Sequence, residues 1–289
     1  MNKLESFSLR SITALIYAGL WLLGCLYAVP FLTVLTGFFA VAGALELYSL
    51  FYRPTSQLFK WYIALGVALW WIGWMFWFFM HYFTYEHEKL FYQHMMFFGG
   101  SWLFFLLVGL CCFAIARKNI DLLPVAGFIT FLFWYIFFPL QGLVLAAISN
   151  HVLFFNQLLY VLMVVWSFDT FAYMVGSWFG KHLLIPHISP KKTWEGLLGG
   201  YVFTMLGIIL FATSNKVKFF PEFLFDSSVI MFLALMGDLF ESKLKRRAGV
   251  KDSGSLLPGH GGVLDRLDSL LMVSLFYTAY NVVKNLNIF

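Results

Sequence analysis

The sequence predicts an all-α polytopic membrane protein with about nine transmembrane helices. Three observations carry the prediction. Of 289 residues, 61% are hydrophobic and only 11% charged, whereas a soluble domain carries about 25% charged residues. Apolar runs of about 20 residues, the length that crosses a hydrocarbon core, recur along the chain. Threading those runs through a bilayer sends fifteen of the nineteen Lys and Arg residues to one side, the bias that marks a cytoplasmic face.

The first run, 12–29, follows Lys3 and Arg10 and is closed by Pro30. Its flanks and Leu22-Leu23-Gly24-Cys25 resemble a cleaved leader. The run is near span length and hydrophobicity continues past Cys25, so a retained helix is expected. The later runs are 31–51, 61–80, 97–115, 124–148 with a kink expected at Pro139, 158–179, 197–213, 229–244 and 267–283. Nine spans place the termini on opposite sides, with the N-terminus in the cytoplasm and the C-terminus across the membrane. The expected organisation is one membrane domain. Residues 1–156 would supply the scaffold, lipid cleft and dimer surface, and 157–289 the catalytic helices and cytoplasmic loops.

Composition also excludes some classes. The 36 Phe, 11 Trp and 14 Tyr residues read as lipid-facing bulk and interfacial belts rather than cofactor-stacking platforms. Cys25, Cys111 and Cys112 lie in apolar runs, with neither metal-ligand spacing nor a disulfide framework. The net charge of +5 is explained by topology. No zinc-finger spacing or RNA-binding fingerprint accompanies it, so no nucleic-acid partner is expected. Glu86, His87, Glu88 and His94 read as a solvated outer loop. Glu46 reads chiefly as a carboxylate with a structural partner, and secondarily as a site residue.

The chain's chemistry is concentrated at 237–268, where eleven of its 33 charged residues fall. Charges beside a bilayer are costly, so such a cluster marks function. If the helix of the eighth run continues to Lys245, then Asp238, Glu241, Ser242 and Lys245 share one face. Asp265 and Asp268 repeat the i, i+3 spacing at the start of the ninth run. A loop with Gly249, Gly254, Gly259, Gly261 and Gly262 lies between, where positive φ and close backbone approach are permitted. Acidic helix ends, a glycine loop and basic residues point to a divalent metal and phosphate. Asp169, in mid-span, is expensive unless it meets a cation or a base. Ser189-Pro190-Lys191-Lys192-Thr193, before the seventh run, offers two ammoniums, a hydroxyl and a helix N-terminus to an anion. Taken alone, it also reads as an ordinary basic cytoplasmic loop.

The stretch Ser242-Lys243-Leu244-Lys245-Arg246, four residues, Lys251-Asp252, then Gly254 and Leu257-Pro258-Gly259-His260-Gly261-Gly262-Val263-Leu264-Asp265-Arg266-Leu267-Asp268 resembles the signature of the phosphatidate cytidylyltransferase family, without departure. Asp169-Thr170 with Ala172-Tyr173, and Ser189 to Gly196, resemble a second, shorter motif of that family. The resemblance covers 169–268 well, and the N-terminal half chiefly in hydrophobic layout.

The resemblance implies that CTP and phosphatidate react to CDP-diacylglycerol and pyrophosphate; the Lys and Arg asymmetry puts the site on the cytoplasmic side, and the compact build suggests a bacterial inner membrane. The resemblance also implies the lipid bilayer and a homodimer as partners. On this reading Asp238 and Asp265 hold Mg²⁺, with Asp268 as a further ligand or support. A second cation, monovalent or divalent, is expected near Asp169. Ser189, Lys191, Lys192 and Thr193 bind nucleotide phosphates. Ser242, Lys245, Arg246, Lys251 and Arg266 serve the lipid phosphate or pyrophosphate, and His260, Gly261 and Gly262 shape the nucleotide loop. The competing structural account makes Asp238 and Asp265 salt-bridge partners of Lys245 and Arg266. A CTP-dependent lipid or polyprenol kinase shares parts of the architecture but not the complete signature. An ion-coupled transporter would spread polar residues through both leaflets.

Overall fold

The computed structural model describes residues 3–26, 28–52, 57–82, 122–149, 151–214, 220–259 and 261–285. The expected span at 97–115, the loop residues Glu86, His87, Glu88 and His94, and His260 lie outside them. In chain order the elements are α1 (Lys3–Leu26), α2 (Ala28–Phe51), α3 (Gln57–Tyr82) and α4 (Leu122–Leu132). A π-helical turn (Phe133–Phe137) leads into α5 (Phe138–Ser149), followed by α6 (His151–Phe179). Then come β1 (Leu183–Ile185), β2 (Ser189–Thr193), α7 (Trp194–Ser214), α8 (Phe220–Arg247) and α9 (Leu264–Asn285).

Apolar residues on such runs form helices because a helix satisfies its own backbone donors and acceptors where water is absent. Five stretches among the described residues are long and apolar enough to cross a membrane: Pro30–Phe51, Gly127–Val144, Gln157–Phe179, Trp194–Ser214 and Phe223–Arg247. Shorter apolar stretches, Ile12–Gly24 and Ile63–Phe76, lie on α1 and α3. The break expected at Pro139 takes the form of the π turn just before it, where the N–H of Phe138 donates to the carbonyl of Phe133. Pro139 has no N–H and its ring crowds the preceding turn, so the wider loop absorbs the misfit. The two-stranded sheet departs from the all-α expectation. β1 and β2 are antiparallel, pairing Leu183 with Thr193 and Ile185 with Ser189. Pro190 favours extended backbone within β2 and disfavours helix there.

The chain forms two compact units: Met1–Phe154 with Ser274–Phe289, and Phe155–Val273. In the first, α2 packs against α1, α3 and α5. Trp21 stacks on Phe39 at 5.5 Å, and the Trp71 indole donates to the Thr33 carbonyl at 2.9 Å. Glu46 is buried on α2.

The second unit packs around Val164, Phe168, Ile208 and Met231, joining α6, α7 and α8. Tyr160 stacks on Phe223 at 4.5 Å, and its hydroxyl meets Ser227 Oγ. On α7, Leu198, Val202, Leu206 and Leu210 are exposed at four-residue spacing, an apolar stripe of the kind a helix presents to lipid.

The end of α8 is set by Gly249, at φ 68°. Val250 N–H bonds back to the Lys245 carbonyl at 2.9 Å and Gly249 N–H to that of Arg246 at 3.0 Å. This is the left-handed glycine stop that closes a helix and turns the chain away. Replacing Gly249 with Ala should cost about 1–2 kcal/mol, because a Cβ disfavours that conformation. The expected readout is a lower thermal midpoint in detergent; an unchanged midpoint would mean the turn relaxes without strain.

Candidate active site

Four segments of the second unit build the site: the middle of α6, the β1–β2 hairpin, the C-terminal half of α8, and the 250–263 loop with the start of α9. The α8 helix continues through Lys245, so Asp238, Glu241, Ser242 and Lys245 do share a face. Gly237 lets that face approach α9. A Cβ there would run into the Asp268 backbone carbonyl oxygen and come within 3.0 Å of Met272 Cβ.

Lys245 is the most constrained cation of the site. It is 9% exposed. Its Nζ donates to Glu241 Oε2 at 2.9 Å and to Asp265 Oδ1 at 2.5 Å. The other Asp265 oxygen, Oδ2, accepts from Ser253 N at 2.9 Å, Ser253 Oγ at 3.1 Å and Gly262 N at 2.7 Å. Burial pushes the Asp265 carboxyl up. The Lys245 ammonium and the N–H groups of Gly262 and Ser253 outweigh that and hold it below its ordinary value. Glycines of this loop adopt positive φ at Gly259 and Gly261, and Leu257 N–H bonds to the Gly261 carbonyl at 2.9 Å.

Asp238 takes a different partner. Its Oδ2 is ion-paired with Lys192 Nζ of β2, and its Oδ1 accepts from Ser242 Oγ at 3.2 Å. Asp169 lies in the fields of Lys192, Asp238 and Arg266. Asp268 lies in those of Asp238, Glu241 and Asp169. Asp238 is thus engaged by Lys192, and Glu241 and Asp265 by Lys245. Glu241 is fully buried, and no hydrogen bond to its Oε1 is found among the described residues.

The hairpin is tied to this cluster from several sides. Thr193 caps α7, its Oγ1 accepting from Gly196 N at 3.1 Å. Arg246 Nε donates to the Ile188 carbonyl at 3.3 Å and its Nη1 to that of Val250 at 3.0 Å. Lys191, Lys251 and Arg266 are exposed. Ser189 opens β2, and no hydrogen bond or ion pair among the described residues joins Ser189, Lys191 or Lys251 to the carboxylates.

The expected residues Asp169, Lys192, Asp238, Ser242, Lys245, Asp265 and Asp268 thus meet. The competing salt-bridge account applies in part: Asp265 pairs with Lys245, and Asp238 pairs with Lys192, a cation that account did not name. Three participants had no role assigned from sequence. Glu241 had a signal, since a Glu four residues before a Lys favours an i, i+4 pair. Glu195 had a weaker one, an acid in the first turn of a helix. Ser253 had none.

Oxygen donors are the right chemistry for a hard cation. Asp238, Glu241 and Asp265 carry such donors, each beside an ammonium. Among the described residues no three acidic or imidazole side chains are gathered as a ligand set, and Lys192 and Lys245 engage Asp238 and Asp265.

This architecture defines a class: a multi-pass helical membrane protein with a polar, charge-dense site at its helix ends. The chain belongs to the cytidylyltransferase family, whose profile matches residues 8–283. It is similar to the phosphatidate cytidylyltransferase of Haemophilus influenzae, 43% identical over 128 residues, covering 43% of this chain and 44% of the relative. The phosphatidate cytidylyltransferase of Thermotoga maritima is 44% identical over 125 residues, covering 41% and 46%. That of Bacillus subtilis is 43% identical over 124 residues, covering 42% and 45%. The matched stretch thus spans less than half the length of these relatives.

The Lys245 bridge makes a stability prediction. Lys245→Met leaves Glu241 and Asp265 without their shared cation, and breaking such a buried pair costs about 3–5 kcal/mol. The thermal midpoint should fall, and adding Glu241→Gln should recover part of the loss. Equal melting of the parent and the single variant would show that the bridge contributes nothing.

Proposed function

We propose that this protein is a phosphatidate cytidylyltransferase, converting CTP and phosphatidate to CDP-diacylglycerol and pyrophosphate. The observation that carries the reading is the meeting of Lys192 with Asp238 and of Lys245 with Asp265. These residues come from separate segments: Lys192 belongs to the shorter family motif, Lys245 and Asp265 to the longer, and Asp238 lies four residues before the longer one. The relatives' names and the polar helix ends support the same assignment.

The reaction sets plain demands. A phosphate oxygen of the lipid attacks the α-phosphorus of CTP, a new P–O bond forms, and the bond to the bridging oxygen of the β-phosphate breaks. Pyrophosphate carries away that electron pair. The nucleophile is already an oxyanion, so little base catalysis is needed. The barrier lies in bringing two anions together in line, which positioned cations relieve. Lys191, Lys192 and Thr193, beside Ser189 on the hairpin, hold the nucleotide phosphates. Ser242 and Arg246 hold the lipid phosphate or the departing pyrophosphate, with Lys251 and Arg266 at the exposed edge. Lys245 contributes its charge from between Glu241 and Asp265. Gly261 and Gly262, with His260, shape the nucleotide loop.

Asp238 and Asp265 would hold Mg²⁺, with Asp268 beside them; when bound, it neutralises charge on the phosphate oxygens. A second cation fits the field around Asp169. The asymmetry of Lys and Arg supports nine spans with a cytoplasmic N-terminus and site, in a bacterial inner membrane. Phosphatidate then enters from the bilayer and CTP from water. A homodimer is the assembly proposed.

Purified protein in detergent, given phosphatidate, Mg²⁺ and CTP labelled at the α-phosphate, should place label in the organic phase. A chelator should abolish it. Asp238→Asn and Asp265→Asn should each abolish turnover in folded protein. An active Asp265→Asn enzyme would remove that residue from the metal role, and lipid labelling from γ-labelled CTP alone would replace transferase with kinase.

A further inference from the structure

The nucleotide-binding role proposed above depends on where the hairpin holds Lys191, Lys192 and Thr193, and one side chain without a role so far controls the base of that hairpin. Glu195 is in the first turn of α7. Its Oε2 accepts from Lys181 N at 3.1 Å and from His182 N at 3.2 Å. Its Oε1 accepts from His182 N at 3.3 Å and meets His182 Nδ1 at 2.5 Å. Lys181 and His182 are the link between the end of α6 and β1. The opposite leg closes against the same link, through Trp194 N–H to the His182 carbonyl at 2.9 Å.

One carboxylate therefore fastens both legs where they leave the helices. Bonds from main-chain N–H to a carboxylate are charge-assisted and short-ranged, and an acid in a first helical turn is favoured by the helix dipole. Farther along, the hairpin is held by Lys192 to Asp238 and by Arg246 to the Ile188 carbonyl. Those two contacts use groups that phosphate would also attract. Glu195 is directed at backbone and at His182, so its hold does not compete with an anion.

We infer that Glu195 is a positioning residue that clamps the β1–β2 hairpin in the register that presents Lys191, Lys192 and Thr193 to the nucleotide. It acts on CTP through the hairpin and not by touching it. Because Oε2 alone accepts both main-chain N–H groups, a Gln at this position keeps the clamp, while Ala removes it. Loss of the His182 ring leaves the main-chain bonds in place.

Two measurements test this on the full-length protein in detergent. In the α-labelled CTP assay, Glu195→Ala should raise the KM for CTP about tenfold while the KM for phosphatidate and kcat stay within about threefold. Glu195→Gln and His182→Ala should stay within about threefold of the parent in all three constants. In trypsin digestion without substrate, Glu195→Ala should be cut faster after Lys181, Lys191 and Lys192 but not elsewhere, and Glu195→Gln should resist like the parent. Equal cleavage of the Ala variant and the parent overturns the clamp. Faster cleavage with a parental KM for CTP overturns its link to the nucleotide, as does a Gln variant as damaged as Ala. Faster local cleavage in a protein whose parent transfers no cytidylyl group supports the clamp and overturns the reading of function instead.

Discussion

Lys245 between Glu241 and Asp265 is the contact on which the rest of the site depends. Three charged groups are withdrawn from water there, and that is tolerable only because each finds a partner of opposite sign or a donor. Glu241 and Lys245 are one turn apart on α8, so helix geometry brings them together at little cost. Asp265 comes from α9, and its second oxygen collects the N–H groups of Ser253 and Gly262. The end of α8, the glycine loop and the start of α9 are thereby one polar unit. The left-handed turn at Gly249 sends the chain into that loop, and the bare backbone of Gly237 allows the two helices to close on it.

The hairpin is a second and more exposed arrangement built against the first. Lys192 crosses to Asp238, and Arg246 reaches back to the Ile188 carbonyl. Acidic groups thus lie on the helices, while two of the basic ones lie on a short strand between α6 and α7. The proposed transfer between two anions is suited by this division: the carboxylates stay on the helices, and the ammoniums come from a separate segment.

Placement of the polar groups follows from the medium. The outward stripe of α7 is apolar from Leu198 to Leu210, and a charged side chain there would be left without a partner. The charges are gathered instead at the C-terminal end of α8 and the beginnings of α7 and α9. Asp169 departs from this pattern as an acid within α6, as Glu46 does within α2. The fields of Lys192 and Arg266 offset part of the cost of burying Asp169.

Hydropathy by itself determined that the chain is helical and membrane-embedded, because continuous apolar runs of about 20 residues suit helices, which satisfy their own backbone groups in lipid, and not the short alternating strands of a barrel. Local spacing determined that Asp238, Glu241, Ser242 and Lys245 share a face, since the 3.6-residue period is a property of the helix and needs no partner. It also pointed to Pro139 as a break and to the glycines as a loop. The β1–β2 pairing was not legible, because two strands of three and five residues carry too few side chains to show an alternating pattern. Only the tertiary structure decided that Lys192 meets Asp238, that Lys245 is shared by Glu241 and Asp265, and that Glu195 holds the link at Lys181 and His182. Those choices depend on which segments pack side by side. Opposite charges in a sequence attract without specifying a mate; a buried carboxylate accepts the cation that the surrounding helices bring within reach.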